Sequence, residues 1–268
     1  MKAHRALLSR LCLSLAVIGS LSPALRTPAE TGHCPLPTQH AGLTFPLERI
    51  EAIRACRLQP IIEHYTTANK VGPIRTLMPE AVYRSLLDHP PLTAALINRL
   101  DLALYQAETR APGQFWGHDG EGTQGIVELV YQDRQSRVYY LEGTHDSRLL
   151  PQLKGKAVVL LKMQRVSEAD GRESMDTTMV AYARLDNRVL SGMASLFRPL
   201  IGGTVTRKLA KGVETVNQLG QIMRHEPDRV LYEALDPPAL QDDEVALLRQ
   251  ALATISRSPA DESKSAGP

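Results

Sequence analysis

The chain of 268 residues is long enough for one generous domain or two small ones, with a core that could enclose a cavity. At 43% hydrophobic and 22% charged, the composition excludes wholesale disorder, collagen-like repeats and a multi-span membrane protein. The 31 basic residues nearly balance 29 acidic ones and form no basic stripe, so nucleic acid is not expected as a partner.

Lys2 and Arg5 precede a run from Leu11 to Leu21 that is apolar apart from Ser14, Gly19 and Ser20, the pattern of a cleaved signal peptide. Ser22-Pro23-Ala24 places the cut after Ala24, with Thr27-Pro28-Ala29 as a second choice. Arg10 interrupts the apolar stretch, and the remainder is shorter than the roughly 20 residues a membrane span needs. Cleavage removes Lys2, Arg5 and Arg10 and no acid, leaving 28 basic against 29 acidic residues and a mature charge of −1. A periplasmic or secreted protein is expected. Residues 1–24 are assigned to the signal.

Cys34 and Cys56 then remain as an even pair, read as a disulfide in an oxidising compartment, with two free thiols as the alternative. Closing a loop of that length would stabilise the fold by roughly 3 kcal/mol. The pair lacks Cys-x-x-Cys spacing and a histidine cluster, so a metal site is not expected.

From Glu30 to Lys70, Pro35, Pro37, Pro46 and Pro60 punctuate the chain, and Leu47, Ile50 and Ile53 predict a short helix ending near Pro60. Residues 25–70 read as an N-terminal extension held down by the disulfide. An extended piece, Val71 to Met78, leads to a helix over Glu80 to Leu87, stopped by Asp88-His89-Pro90-Pro91, and a second short helix covers Leu92 to Arg99. Six strands follow: Asp101 to Thr109, Gly113 to His118, Thr123 to Asp133, Arg137 to His145, Lys156 to Val166 and Ser174 to Leu185. Short turns join them, so each pairs antiparallel with its neighbour. A helix from Val189 to Met223 carries an apolar stripe; straight, it would reach roughly 50 Å, so Pro199 and Gly202-Gly203 are expected to break or bend it. Beyond Pro227 lies a tail, 224–268, with one amphipathic helix over Pro238 to Ile255 and a mobile end.

The order of strand, two short helices, strand meander and long helix resembles the START-like (SRPBCC) superfamily, over residues 71–223. The texture that carries the likeness is the Pro79 to Leu87 helix start, the strand Arg137-Val138-Tyr139-Tyr140-Leu141-Glu142-Gly143 and the helix entry Leu196-Phe197-Arg198-Pro199-Leu200. The resemblance implies an α+β helix-grip fold, a curved antiparallel sheet of about six or seven strands wrapped around the long helix. It also implies an apolar cavity between the two. A lipocalin-like barrel or another α+β sandwich is the alternative; a lipocalin would place its helix after eight strands and open on Gly-x-Trp, whereas Trp116 stands in Gln114-Phe115-Trp116-Gly117.

The densest polar stretch is Trp116-Gly117-His118-Asp119-Gly120-Glu121-Gly122, with His145-Asp146 at the end of a later strand. It reads as a hairpin turn, with a divalent metal or an acid-base pair as the alternative. Strand alternation places Tyr139, Leu141 and His145 on one face and Tyr140 and Glu142 on the other. With the first face turned to a cavity, Tyr139 and His145 would orient a ligand lying against Leu141, Leu161, Met163, Val180, Met193 and Phe197, with Trp116 and His118 at the edge. The alternative is that these residues fill a solid core. Met175, Met179, Met193 and Met223 could adapt to an irregular apolar ligand or fill gaps, and Arg184 is expected to cap the turn that leads to the long helix.

No nucleophile elbow, zinc helix, phosphate loop, dinucleotide fingerprint or haem attachment motif occurs, and no cofactor or metal is expected. The expected function is binding or carriage of a hydrophobic small molecule or lipid, such as a quinone or polyketide-like compound. The protein would act as a monomer that touches membranes peripherally. The alternatives are a cyclase or dehydratase using His145, Tyr139 or His118, and a cavity-free envelope interaction module.

Overall fold

The structure, a computed structural model, describes residues 34–146, 152–186 and 194–256. The signal peptide, its cleavage sites, Met193 and the side chain of Phe197 lie outside the described residues.

The chain opens with a small hairpin of β1 (Gln39–His40) and β2 (Leu43–Thr44), a 3-10 turn at Leu47–Arg49, and α1 (Ala52–Glu63). It continues with β3 (Thr67–Thr76), α2 (Glu80–Asp88) and α3 (Pro90–Arg99). The meander is β4 (Gln106–Ala111), β5 (Gln114–His118), β6 (Thr123–Gln132), β7 (Ser136–His145), β8 (Leu153–Ser167) and β9 (Glu173–Leu185). Three helices close the chain: α4 (Ala194–His225), α5 (Pro227–Leu235) and α6 (Asp242–Ser256). Seven strands form one antiparallel sheet in the order β3-β9-β8-β7-β6-β5-β4, so the meander pairs neighbour to neighbour and β3 returns to its far edge. The α+β class, the strand meander and the long helix packed on the sheet are as the sequence predicts.

Alternate residues of the same strands build two separate cores. On the inner face, Val71, Leu161, Met163, Met175 and Met179 pack against α2 to α6. On the outer face, Val138, Tyr140, Val158, Leu160 and Val180 pack under Phe45, Leu47, Ile50 and the buried side of α1. The Cys34–Cys56 disulfide is formed and ties the first described residue to α1. Polar clamps then fix α1 to the sheet. Arg57 ion-pairs with Glu128 at 2.5 Å and lies over the Tyr140 ring, while Arg54 and Arg184 donate to the carbonyls of Val130 and Pro60. The N-terminal extension is therefore the second layer of the domain.

Four expectations require correction. Residues 102–105 are not strand: Asp101 adopts a positive φ of 56° after α3, and Leu102, Ala103 and Tyr105 pack on the inner core from a loop, so their apolar content mimics a strand. Helix α4 runs unbroken through Pro199, its sixth residue, although a proline there forfeits one i→i−4 backbone bond. Gly202 is a close approach and not a break: a Cβ there would stand 3.0 Å from the Thr67 hydroxyl, and the Asn69 side-chain amide donates to the Gly202 carbonyl at 3.1 Å. Residues 227–256 are no loose tail, because α5 and α6 bury Val230, Ala234, Leu248, Ala251, Leu252 and Ile255 in the inner core; the end expected to be mobile lies outside the described residues. Pro227 at the first turn of α5 was the legible start signal. Arg184 donates to the Pro60 carbonyl of α1, and the turn it is expected to cap lies outside the described residues.

Candidate ligand cavity

Helix α4 rests mainly on β3, at one edge of the sheet, and stands away from the middle strands. The space left beneath it is a chamber of about 500 Å³, floored by Val127, Leu141, Ala157 and Ala183 and roofed by Thr204, Val205 and Lys208. A second chamber of about 310 Å³, the inner one, adjoins it between Tyr139, Val159, Leu161 and Met179 of the sheet and Leu209, Gly212, Val213 and Val216 of α4. Val127, Leu141 and Lys208 line both, so the two chambers adjoin at these residues. Each volume falls in the range of small-molecule sites.

The outer chamber owes its depth to glycines. Gly117, Gly125, Gly143 and Gly155 stand directly opposite one another across β5, β6, β7 and β8. A Cβ on Gly125 would collide with the Glu142 carbonyl and lie 2.6 Å from the Gly143 Cα, and one on Gly143 would collide with the Gln124 carbonyl. A row of residues without side chains permits a tight crease of the strands here, as glycine allows at barrel corners. Sequence reading passed over this row, although one interior glycine in each of four consecutive strands was its signal.

Polar groups concentrate at the mouth. The Thr123 hydroxyl and His145 Nδ1 are 3.0 Å apart on adjacent strands. Asp119-Gly120-Glu121-Gly122 is the β5–β6 turn, with positive φ at both glycines and the Asp119 carboxylate accepting from the Glu121 and Thr123 amides. The turn reaches α4: Lys208 Nζ lies 2.5 Å from Asp119 and 3.2 Å from Glu121, and Lys211 lies 2.5 Å from Glu121. Burial disfavours the Asp119 carboxylate, but the Lys208 ammonium and the amides outweigh it and hold the group at about 2. Two cations and two anions thus cancel where the turn meets the helix.

The inner chamber presents almost no polar surface. Burial pushes the Tyr139 phenol up, with Arg137 opposing. Tyr83 meets Thr177 at 2.9 Å. Beyond Tyr139, the buried Arg137 pairs with Asp88 at 2.7 Å, an ion pair the sequence did not suggest.

Of the residues singled out from sequence, Tyr139, Leu141, His145 and Leu161 line the two chambers. Val180 does not: its register opposite Leu160 turns it to the outer face, sealed under the N-terminal layer. Met163 shares the inner face but is sealed in solid core past the chambers, as are Met175 and Met223, while Met179 lines the inner chamber. Trp116 pairs with Ile126 on the outer face, and the His118 ring stacks on it, so His118 borders the mouth without presenting its ring as a handle. Tyr139 and His145 are six residues apart on β7, about 20 Å at strand spacing, and serve different chambers; they form no acid-base pair. Among the described residues, no group of three or more His, Cys, Asp or Glu side chains could hold a metal ion, and no helix is long and apolar enough to cross a membrane.

No protein-family model matches the chain, and no curated protein matches it. Among solved structures, a conserved protein from Geobacillus kaustophilus aligns with 58% of this chain and 95% of its own, at 10% identity and a TM-score of 0.42. That likeness is too distant to carry an argument about function.

Proposed function

We propose that this protein binds or carries a hydrophobic small molecule in the double chamber between the sheet and α4. The observation that supports this reading is a pair of adjoining, mainly apolar chambers on one face of a sheet whose other face, across β6 to β9, packs under the N-terminal layer. A fold that needed only stability would gain by closing that volume, since unfilled core space costs stability. The order of β3, α2, α3, the meander and α4 supports a START-like helix-grip relationship, in which the chambers are the working part. The disulfide supports a site of action outside the cytoplasm, where Cys34 and Cys56 pair stably.

Native mass spectrometry of protein purified from the periplasm without detergent tests the reading, followed by solvent extraction and identification of what is released. A stoichiometric hydrophobic passenger is expected. A clean unliganded mass that persists after incubation with lipids and quinones would contradict it.

A further inference from the structure

We infer that the ligand is a single-tailed amphiphile with a neutral, hydrogen-bonding head, bound tail-inward, its tail threaded beneath Lys208 into the inner chamber. The inference rests on the cavity reading and deepens it. Polarity runs one way along the cavity: hydrogen-bonding groups line the outer chamber, and the inner one is almost wholly apolar. At the mouth the lysines and carboxylates are already matched to one another, so no net charge awaits an ionic head. The Thr123–His145 pair offers a donor and an acceptor to a neutral one.

A ligand that occupies both chambers passes the residues they share, Val127, Leu141 and Lys208, and the Lys208 ammonium is pinned to the β5–β6 turn by Asp119 and Glu121. A side chain held at both ends over that passage favours one slender chain over a broad fused-ring body. Gly212 keeps the inner chamber vacant: it lines that chamber, and a Cβ built on it meets nothing within 4 Å.

Gly212→Leu therefore projects into the inner chamber from a position whose Cβ is unobstructed and raises helix propensity, and an unchanged unfolding midpoint shows that loss of folding does not confuse the result. Gly203→Leu, also with open space around its Cβ but on the exposed side of α4, is the control. Calorimetric titration would use the primary alcohols from hexanol to dodecanol. In the unaltered protein, affinity should climb about fourfold per methylene. In Gly212→Leu the climb should stop early, with dodecanol losing at least about tenfold and hexanol nearly unchanged. Gly203→Leu should behave as the unaltered protein. An unchanged climb in Gly212→Leu would overturn the tail-inward inference and leave the cavity reading standing. Failure of every alcohol to bind the unaltered protein would overturn both.

Discussion

On the outer face of the sheet, Val158, Leu160 and Val180 are sealed beneath α1, whereas on the inner face Ala157, Val159 and Ala183, from the same two strands, look onto open volume. The strands are shared, so strand propensity cannot account for the difference. What differs is the cover. The N-terminal layer is stapled by a disulfide and clamped by arginines against a continuous apolar row. Helix α4 is anchored at one edge through Asn69, which donates to the Gly202 carbonyl and the Thr206 hydroxyl, and at the other by lysines reaching the β5–β6 turn. Close packing on one side supplies the stability with which a void on the other can be tolerated.

The sharpest way to break this comparison is to truncate one leucine on each face. Leu160→Ala, in the solid outer core, should cost about 4 kcal/mol in denaturant unfolding. Leu141→Ala, which already borders open volume, should cost only about 1 kcal/mol, because little new cavity is made. Equal costs would mean that the chambers are filled in solution. Next, replacing Cys34 and Cys56 with Ala should lower stability by about 3 kcal/mol, through the loop of sequence separation 22 that the bond closes. Retention of apolar ligand binding in that variant would confirm that the outer layer acts only as support.

Gly143→Ala forces a methyl into the Gln124 carbonyl at the crease and should cost about 2 kcal/mol, with a matching loss of ligand capacity. A neutral outcome would remove the crease from the account. The smallest effect is expected at His40, buried in the outer layer between the Pro37 carbonyl at 2.6 Å and the Tyr182 hydroxyl at 2.9 Å. Burial lowers its pKa below the ordinary 6.5, with the Pro37 contact opposing. The folded state thus favours neutral His40, and the unfolded chain binds the proton first as pH falls. Stability from this residue is full above about 6.5 and declines below it. Hydrogen exchange of the 36–50 backbone should quicken across that range while inner-face strands hold steady, and His40→Gln should flatten the profile.

Much of the frame was legible because it rests on local rules. Alternation placed Tyr139, Leu141 and His145 together, and turn chemistry placed Asp119-Gly120-Glu121-Gly122 in a hairpin. Val180 and Trp116 were misplaced for a single reason: these strands carry apolar residues on both faces, so apolar content alone does not say which way a strand residue points. Register decides, and register is a long-range property. The Lys208–Asp119 pair and the glycine row depend on residues far apart in sequence and became visible only once strands and helix were laid side by side. Pro227 and Gly202 were legible locally but misread: one as the end of the domain, the other as a helix breaker.

The most direct test of the account is methyl nuclear magnetic resonance of the leucine and valine side chains during titration with dodecanol. Shifts are predicted at Val127, Leu141, Val159, Leu161 and Leu209, with Val158, Leu160 and Val180 unmoved although they alternate along the same strands. Shifts spread evenly over both faces, or absent from the inner face at saturation, would contradict the claim that one face of this sheet supports the fold and the other holds the ligand.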